Sequence, residues 1–135
     1  MKVLHALAVL LVLYLMTSCS KKAEPVEKGL HGTWLLVQNT YFDGQVAVTR
    51  EITSLPPQTI TFTSNGDLST VAITDSVLYQ AEHFKAGYNS LVGPVLNLYK
   101  ADKQPWVLLR YIVDRDVLVI NPFVGGTFSY KFRRL

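Results

Sequence analysis

The chain lacks paired cysteines, clustered charge and any apolar run long enough to cross a membrane as a helix. Its single cysteine, Cys19, excludes a miniprotein held together by disulfide bonds. The longest apolar run, Val3–Met16, has 14 residues and includes His5, whereas a spanning helix needs about 20. Only 17% of the 135 residues are charged, and the 13 basic side chains form no cluster. These absences exclude a polytopic helical membrane protein and argue against a nucleic-acid partner.

The apolar excess lies at the amino terminus and follows the pattern of an export signal. Lys2 gives a positive start, Val3–Met16 gives the apolar segment, and two small polar residues lead to Cys19. We therefore interpret residues 1–18 as a cleaved signal peptide. Residues 19–29 then form a polar tether that separates the anchor from a domain at residues 30–135.

The segment Met16-Thr17-Ser18-Cys19 resembles the lipobox of bacterial lipoproteins. The resemblance implies that Cys19 is the site of lipid attachment, with a diacylglyceryl group and usually an amide-linked acyl chain such as palmitate. Two or more chains anchor a protein stably, since each buried methylene contributes about 0.8 kcal/mol. Ser20 stands where an aspartate would otherwise follow the cysteine, which by resemblance to enterobacterial sorting favours the outer membrane of the cell envelope. The alternative is an ordinary signal peptide with an incidental cysteine.

Residues 30–135 show strand patterns separated by turns. Thr59–Thr63 alternates polar and apolar residues, Asn65-Gly66 is a strong hairpin signal, and Ser69–Thr74 resumes the alternation. Further strands are predicted at Thr33–Asn39, Gln45–Glu51, Ser76–His83, Val95–Lys100, Trp106–Val113, Val117–Asn121 and Thr127–Arg134. No segment shows a convincing helical period. We therefore expect an all-β domain, an antiparallel up-and-down β-barrel of about eight strands, because closure removes unpaired edges.

Three segments resemble the small lipocalin-like domains of bacterial lipoproteins. They are Leu30-His31-Gly32-Thr33-Trp34, Ile60-Thr61-Phe62-Thr63-Ser64-Asn65-Gly66 and Tyr130-Lys131-Phe132-Arg133-Arg134-Leu135. The resemblance implies that Trp34, in a Gly-x-Trp motif with Gly32, plugs the closed end of a barrel. It also implies that an arginine of the last strand packs over this tryptophan. Alternation with Phe132 points to Arg134, whereas Arg133 would take the place if the last strand carried a bulge.

The sequence contains no motif typical of a catalytic or metal site. Glu82 and His83 are adjacent on a predicted strand and would point to opposite faces, and His31 reads as a surface residue. Asp114 and Asp116 flank Arg115 between two apolar strands, which is typical of a solvated hairpin turn. We therefore expect no enzyme, no metal and no cofactor.

Binding is the function that the pattern favours. A lipocalin-like barrel would collect apolar side chains inside and a few polar groups near its mouth. The candidate cavity residues are Tyr79, Tyr99, Trp106, Arg110, Tyr111, Phe128 and Tyr130. Arg110 could pair with a ligand carboxylate if it pointed inward, but Trp106–Val113 is apolar on both faces, so either parity fits.

Two functions follow from this pattern. The first is non-catalytic binding of a small apolar or amphipathic ligand at the cell envelope. The second is a solid-core barrel that docks an envelope protein or a polysaccharide-processing complex through an exposed apolar strand.

Overall fold

The computed structural model describes residues 29–74, 76–123 and 128–135. The signal peptide, Cys19 and residues 20–28 of the tether lie outside these ranges. The described strands are β1 (Gly32–Phe42), β2 (Ala47–Glu51), β3 (Thr59–Phe62), β4 (Leu68–Val71), β5 (His83–Asn89), β6 (Gly93–Tyr99), β7 (Pro105–Asp114), β8 (Val117–Pro122) and β9 (Phe128–Arg134). One helical turn, α1 (Ser76–Tyr79), lies between β4 and β5. Within the described ranges, no helix has the length and apolar character needed to cross a membrane.

The strands form one curled antiparallel sheet, which confirms the predicted all-β antiparallel class; the sheet is a half-barrel, whereas the sequence predicted a closed barrel. Eight of them lie in the order β4-β3-β1-β9-β8-β7-β6-β5, and β2 pairs with β1 beside this row. Strands that are neighbours in the sequence therefore pair throughout, apart from β2 with β3 and β4 with β5. Strands β1 and β9 pair with each other, which brings the two ends of the domain together.

The two outer strands of the row, β4 and β5, approach each other at one bridge between Asp67 and His83. The backbone N–H of Leu68 donates to the carbonyl of Glu82, and the N–H of Phe84 donates to the carbonyl of Gly66, both at 2.8 Å. We call this short contact the β4–β5 joint. It gives the curled sheet a barrel-like form.

Strand β1 shares one of its edges between two partners. Gly32 to Leu35 pair with β3, whereas Gln38 to Phe42 pair with β2. The opposite edge of β1 pairs with β9, with an irregularity between Leu36 and Gln38. The change of partner opens a gap between β2 and β3 on that side of the sheet.

Period-two alternation places one face of each strand in the core. Side chains that are at most 2% exposed include Trp34, Ile60, Phe62, Leu109, Tyr111, Leu118, Ile120, Tyr130 and Phe132. This answers the question left open for β7: Leu109 and Tyr111 face inward. Arg110 pairs with Val95 and Asn121 and lies on the outer face, as does Ile112, which is 52% exposed.

The strand predicted at Ser76–His83 is wrong. The chain forms α1 there and begins β5 only at His83. The physical reason is the burial of Leu78, which is fully enclosed beside Ile73 and Ala81 in the core. A single helical turn directs Leu78 inward, and the indole N–H of Trp106 donates to the carbonyl of Val77 at 3.0 Å. The segment between β4 and β5 therefore covers the end of the sheet at which these strands are joined.

Candidate functional site

Trp34 is fully buried at the end of the sheet where the described chain begins. Its indole N–H donates to the carbonyl of Leu30 at 2.8 Å, across one turn of backbone. The guanidinium carbon of Arg134 lies 4.1 Å from the centre of the Trp34 ring. Arg134, and not Arg133, is thus the residue over the tryptophan. This is the packing that alternation along the last strand predicted.

Arg134 also ties the entry segment to the last strand. Its Nη1 donates to the carbonyl of His31 at 2.9 Å, and its Nη2 donates to the carbonyl of Gly29 at 2.6 Å. Gly32 has a φ of 125°, and a Cβ there would lie 3.1 Å from Nη1 of Arg134. Glycine therefore lets the backbone approach the guanidinium closely. The buried ring of Trp34 and the contacts of Arg134 thus join the entry segment to the last strand at this end of the sheet.

A depression of about 500 Å³ lies where β1 changes partner. One part of its lining is apolar and the other part is polar or charged. The lining residues are Leu36, Asn39, Arg50, Ile52, Gln58, Ile73, Thr74 and Tyr130. We call this depression the β1–β2 cavity. The exposed part of the lining is mostly polar, and the apolar residues contribute a smaller part of it.

Asn39 is the most informative residue of the β1–β2 cavity. Its side-chain carbonyl Oδ1 is buried, and no hydrogen-bond partner for it is found among the residues that the structure describes. A buried acceptor without a donor costs about 1–3 kcal/mol, so such an atom calls for an explanation. Asn39 pairs with Tyr130 on β9, whose side chain is buried, and it therefore faces the interior of the curled sheet.

Arg50 lies directly across from Asn39 in the β1–β2 pair. Side chains at directly opposite positions share a face, with Cβ atoms about 4.5–5.5 Å apart. The guanidinium lies 5.7 Å from the centre of the Tyr41 ring, and Nη2 donates to the Tyr41 hydroxyl at 3.4 Å. The ion pairs in the described part of the chain are those of His83 with Asp67 and of Arg134 with Asp116. Arg50 therefore has no carboxylate partner among the described residues.

The structure does not bring the seven sequence-predicted cavity residues together. Tyr79, the last residue of α1, is 66% exposed, and Tyr99 pairs with His83. These two tyrosines lie at two separate depressions of the surface, neither of which contains Phe128 or Tyr130. Arg110 is half-buried on the outer face of β7, where its charge points away from the interior.

The other four candidates pack on or in the core. Tyr111 and Tyr130 are 2% exposed, and only Tyr130 lines the β1–β2 cavity. Trp106 and Phe128 are half-buried against the core. The ring of Trp106 lies beneath the ammonium of Lys100, 4.1 Å from Nζ to the ring centre.

The histidines and acidic residues that the sequence analysis considered for catalysis or metal binding lie at different places in the fold. His31 is half-buried and meets the ring of Phe84 edge-on, with 6.3 Å between the ring centres. Nδ1 of His83 lies 3.0 Å from a carboxylate oxygen of Asp67 at the β4–β5 joint. Asp114 and Asp116 flank Arg115, whose φ of 52° is that of a tight turn. Across the described ranges no three His, Cys, Asp or Glu side chains converge on one point.

The fold lowers the pKa of Asp43. It begins the turn between β1 and β2, where its carboxylate accepts hydrogen bonds from the backbone N–H groups of Val46 at 3.1 Å and Gln45 at 3.0 Å. These two bonds hold the pKa of Asp43 below its ordinary value of 3.8, and the bond from Val46 has the larger effect. The ionised carboxylate thus stabilises the turn that brings β2, and with it Arg50, alongside β1.

Sequence reasoning missed Asn39 and Arg50. In the printed sequence both are ordinary polar residues of strands, 11 positions apart. The signal that could have linked them is the turn that begins at Asp43, but only a four-residue loop, Asp43 to Val46, pairs Phe42 with Ala47 and so places Asn39 opposite Arg50. Comparison with known proteins adds nothing to this assignment: no family model, no curated protein and no solved structure matches the chain.

Proposed function

We propose that this chain is a lipocalin-like lipoprotein, anchored through acylated Cys19, whose barrel binds a small amphipathic molecule in the cell envelope without transforming it. The barrel-like antiparallel sheet and the stacking of Arg134 on Trp34 support the lipocalin-like part of this proposal. The β4–β5 joint supports closure of the sheet into a barrel, because it links the two outer strands of the row.

The observation that carries the binding function is the unpaired, buried Oδ1 of Asn39 in the wall of the β1–β2 cavity. Leu36 and Ile73 are buried beside it and offer apolar contact, whereas Arg50 and Gln58 offer donors at the rim. A mostly polar lining with a small apolar part is suited to orient a molecule that has both polar and apolar groups. A bound molecule with a donor group would satisfy the orphaned acceptor.

Native mass spectrometry of the protein released from the membranes of its own host tests this function. We expect a co-purifying small molecule on the unaltered protein. Asn39→Phe should abolish the adduct, because the ring would fill the cavity. Asn97→Phe is the matched control, since Asn97 pairs with Lys85 and Leu108 on the outer face of β6. An adduct that survives Asn39→Phe, or no adduct on any variant, would count against the cavity as the site.

The anchor is tested separately at Cys19, which lies outside the described residues. Cys19→Ala should move the protein from the membrane fraction to the aqueous fraction, because a single acylated cysteine is the proposed attachment. Cys19→Ser provides a second variant of nearly unchanged size. Unchanged membrane association of both variants would refute lipid anchoring at this position and leave the cavity proposal standing.

A docking function is the second candidate, and the outer face of β7 favours it. Ile112 is 52% exposed, and it lies on the same face as the half-buried Val119 and Leu108. An exposed apolar side chain with apolar neighbours on one face can serve as a contact for a partner protein. In the mass spectra, a protein subunit that co-purifies in place of a small molecule would support this function. Loss of that subunit on Ile112→Lys would assign it to this face.

A further inference from the structure

The geometry of the β1–β2 cavity points to a particular ligand class. We infer that its ligand is an amphipathic monocarboxylic acid with a hydrogen-bond donor two or three bonds from the carboxylate. This inference rests on the binding function proposed above and specifies its substrate. Medium-chain 3-hydroxy acids have this arrangement of groups.

The first step of the argument is the adjacency of an acceptor and a cation. Asn39 and Arg50 are directly opposite in the β1–β2 pair, and both line the cavity. Oδ1 of Asn39 can only accept a hydrogen bond, and the guanidinium of Arg50 can only donate. A ligand that serves both must therefore present a donor and an anionic acceptor close together.

The second step concerns the number of charges. Arg50 is the only cationic side chain among the lining residues, and no carboxylate of the described ranges pairs with it. A single guanidinium matches a carboxylate in a bidentate geometry. A doubly charged phosphate would leave one negative charge without a partner. The contact with Tyr41 holds the guanidinium at the rim, so that less side-chain freedom is lost when the anion binds.

The third step concerns the rest of the ligand. Leu36 and Ile73 are buried and Ile52 is half-buried, and all three line the same cavity. Together they form the smaller, apolar part of a lining that is mostly polar. The volume of about 500 Å³ accommodates a short alkyl chain or one ring, but it is small for a long-chain lipid. The ligand is thus a compact acid with a modest apolar body.

The test uses protein expressed from the full chain and held in phosphatidylcholine nanodiscs. It is titrated calorimetrically with 3-hydroxyoctanoate, octanoate and 1,3-octanediol, and empty nanodiscs are titrated in parallel to subtract partitioning into lipid. The three probes share an eight-carbon chain and differ in the carboxylate and the hydroxyl. We expect affinity to decrease from 3-hydroxyoctanoate to octanoate, and the diol to bind more weakly than the hydroxy acid.

Two variants test which side chain recognises the carboxylate of the ligand and which recognises its hydroxyl. Arg50→Gln should weaken the binding of both acids about tenfold and leave the affinity for the diol unchanged. Tenfold is the lower end of the range for a charge-assisted hydrogen bond, because Arg50 lies at a solvent-exposed rim. Asn39→Val should abolish the advantage of the hydroxy acid over octanoate. Arg133→Gln is the matched control, because it removes the same charge from the exposed position opposite Leu35. It should leave all three affinities unchanged.

Four results would overturn the inference, and they differ in what they say about the proposed function. If all three probes bind equally, or if Arg50→Gln has no more effect than Arg133→Gln, the ligand is not an acid recognised by this pair, and binding in the cavity still stands. If no probe binds while the native protein carries a small-molecule adduct, the ligand class is wrong. If no probe binds and the native protein also carries no adduct, both the inferred ligand class and the proposed function are wrong.

Discussion

Replacing Trp34 with alanine measures how much the filled end of the sheet contributes to stability. Trp34 is fully buried, donates to the carbonyl of Leu30 and lies beneath the guanidinium of Arg134. Truncation of a buried tryptophan to alanine costs about 3–5 kcal/mol. The change also removes the donor to Leu30 and a cation–π contact that is worth about 0.5–2 kcal/mol. These contributions overlap, so we expect the free energy of unfolding to fall by about 4 kcal/mol.

The assay is thermal unfolding followed by circular dichroism. A domain of about this size loses roughly 4–8 °C of melting temperature per kcal/mol, so Trp34→Ala should lower Tm by roughly 15–30 °C. Trp106→Ala is the matched control, because it removes the same side chain from a half-buried position over Val77. A loss for Trp34→Ala that is no larger than the loss for Trp106→Ala would refute the argument that this end of the domain is a structural plug.

Three further changes test single features of the fold. Gly32→Ala should destabilise the domain by more than about 1 kcal/mol in a urea titration, because the φ of 125° at this position disfavours a side chain. Gly87→Ala is the control and should be nearly neutral, because a Cβ there would make only an ordinary contact at 3.7 Å. Leu78→Ala should cost about 2–5 kcal/mol by leaving a cavity, and a loss below 1 kcal/mol would show that α1 is not part of the core. The lowered pKa of Asp43 means that its stabilisation of the turn is fully present above 3.8 and disappears as the pH falls through the lower folded value. Asp43→Asn should abolish the shift of the Val46 amide resonance in this acidic range, and titration of Asp43 at or above 3.8 would contradict the assignment.

The resemblance to lipocalin-like domains implied an arginine of the last strand over Trp34, and the alternation of that strand selected Arg134. Arg133 would have been the partner if β9 carried a bulge. The irregularity lies instead in β1, between Leu36 and Gln38, so Arg134 stays on the same face as Phe132. The all-β class and the antiparallel order of neighbouring strands followed from the same period-two pattern and from turn residues such as Asn65-Gly66.

The same irregularity explains why the cavity could not be predicted. Strict alternation from Trp34 would place Gln38 and Thr40 on the inner face of β1. The extra residue shifts the parity, so that Asn39 and Tyr41 face inward opposite Tyr130 and Phe128. A bulge of one residue leaves no mark in the hydrophobic pattern, because Val37 is as typical of a strand as its neighbours. Arg50 can be recognised as a residue of the cavity only when it is known that Asn39, its partner on β1, faces inward.

Two other features depended on tertiary contacts. Both faces of β7 are apolar, so only the packing of Leu109 and Tyr111 decides which side is buried. The segment before β5 is rich in residues typical of strands, and one helical turn is too short to show a period. Burial of Leu78 overrides the local preference there.

The β4–β5 joint gives the domain one direction of easiest opening. Separating β4 from β5 breaks two backbone hydrogen bonds and the contact between His83 and Asp67, whereas separating β1 from β9 breaks a register of seven paired residues. Local opening follows the path that breaks the fewest contacts. Water therefore first reaches the core beside Phe84, whose ring packs edge-on against Phe62 at 5.0 Å. Sequence changes at this joint can alter how often the interior is exposed while leaving the plugged end and the β1–β2 cavity intact.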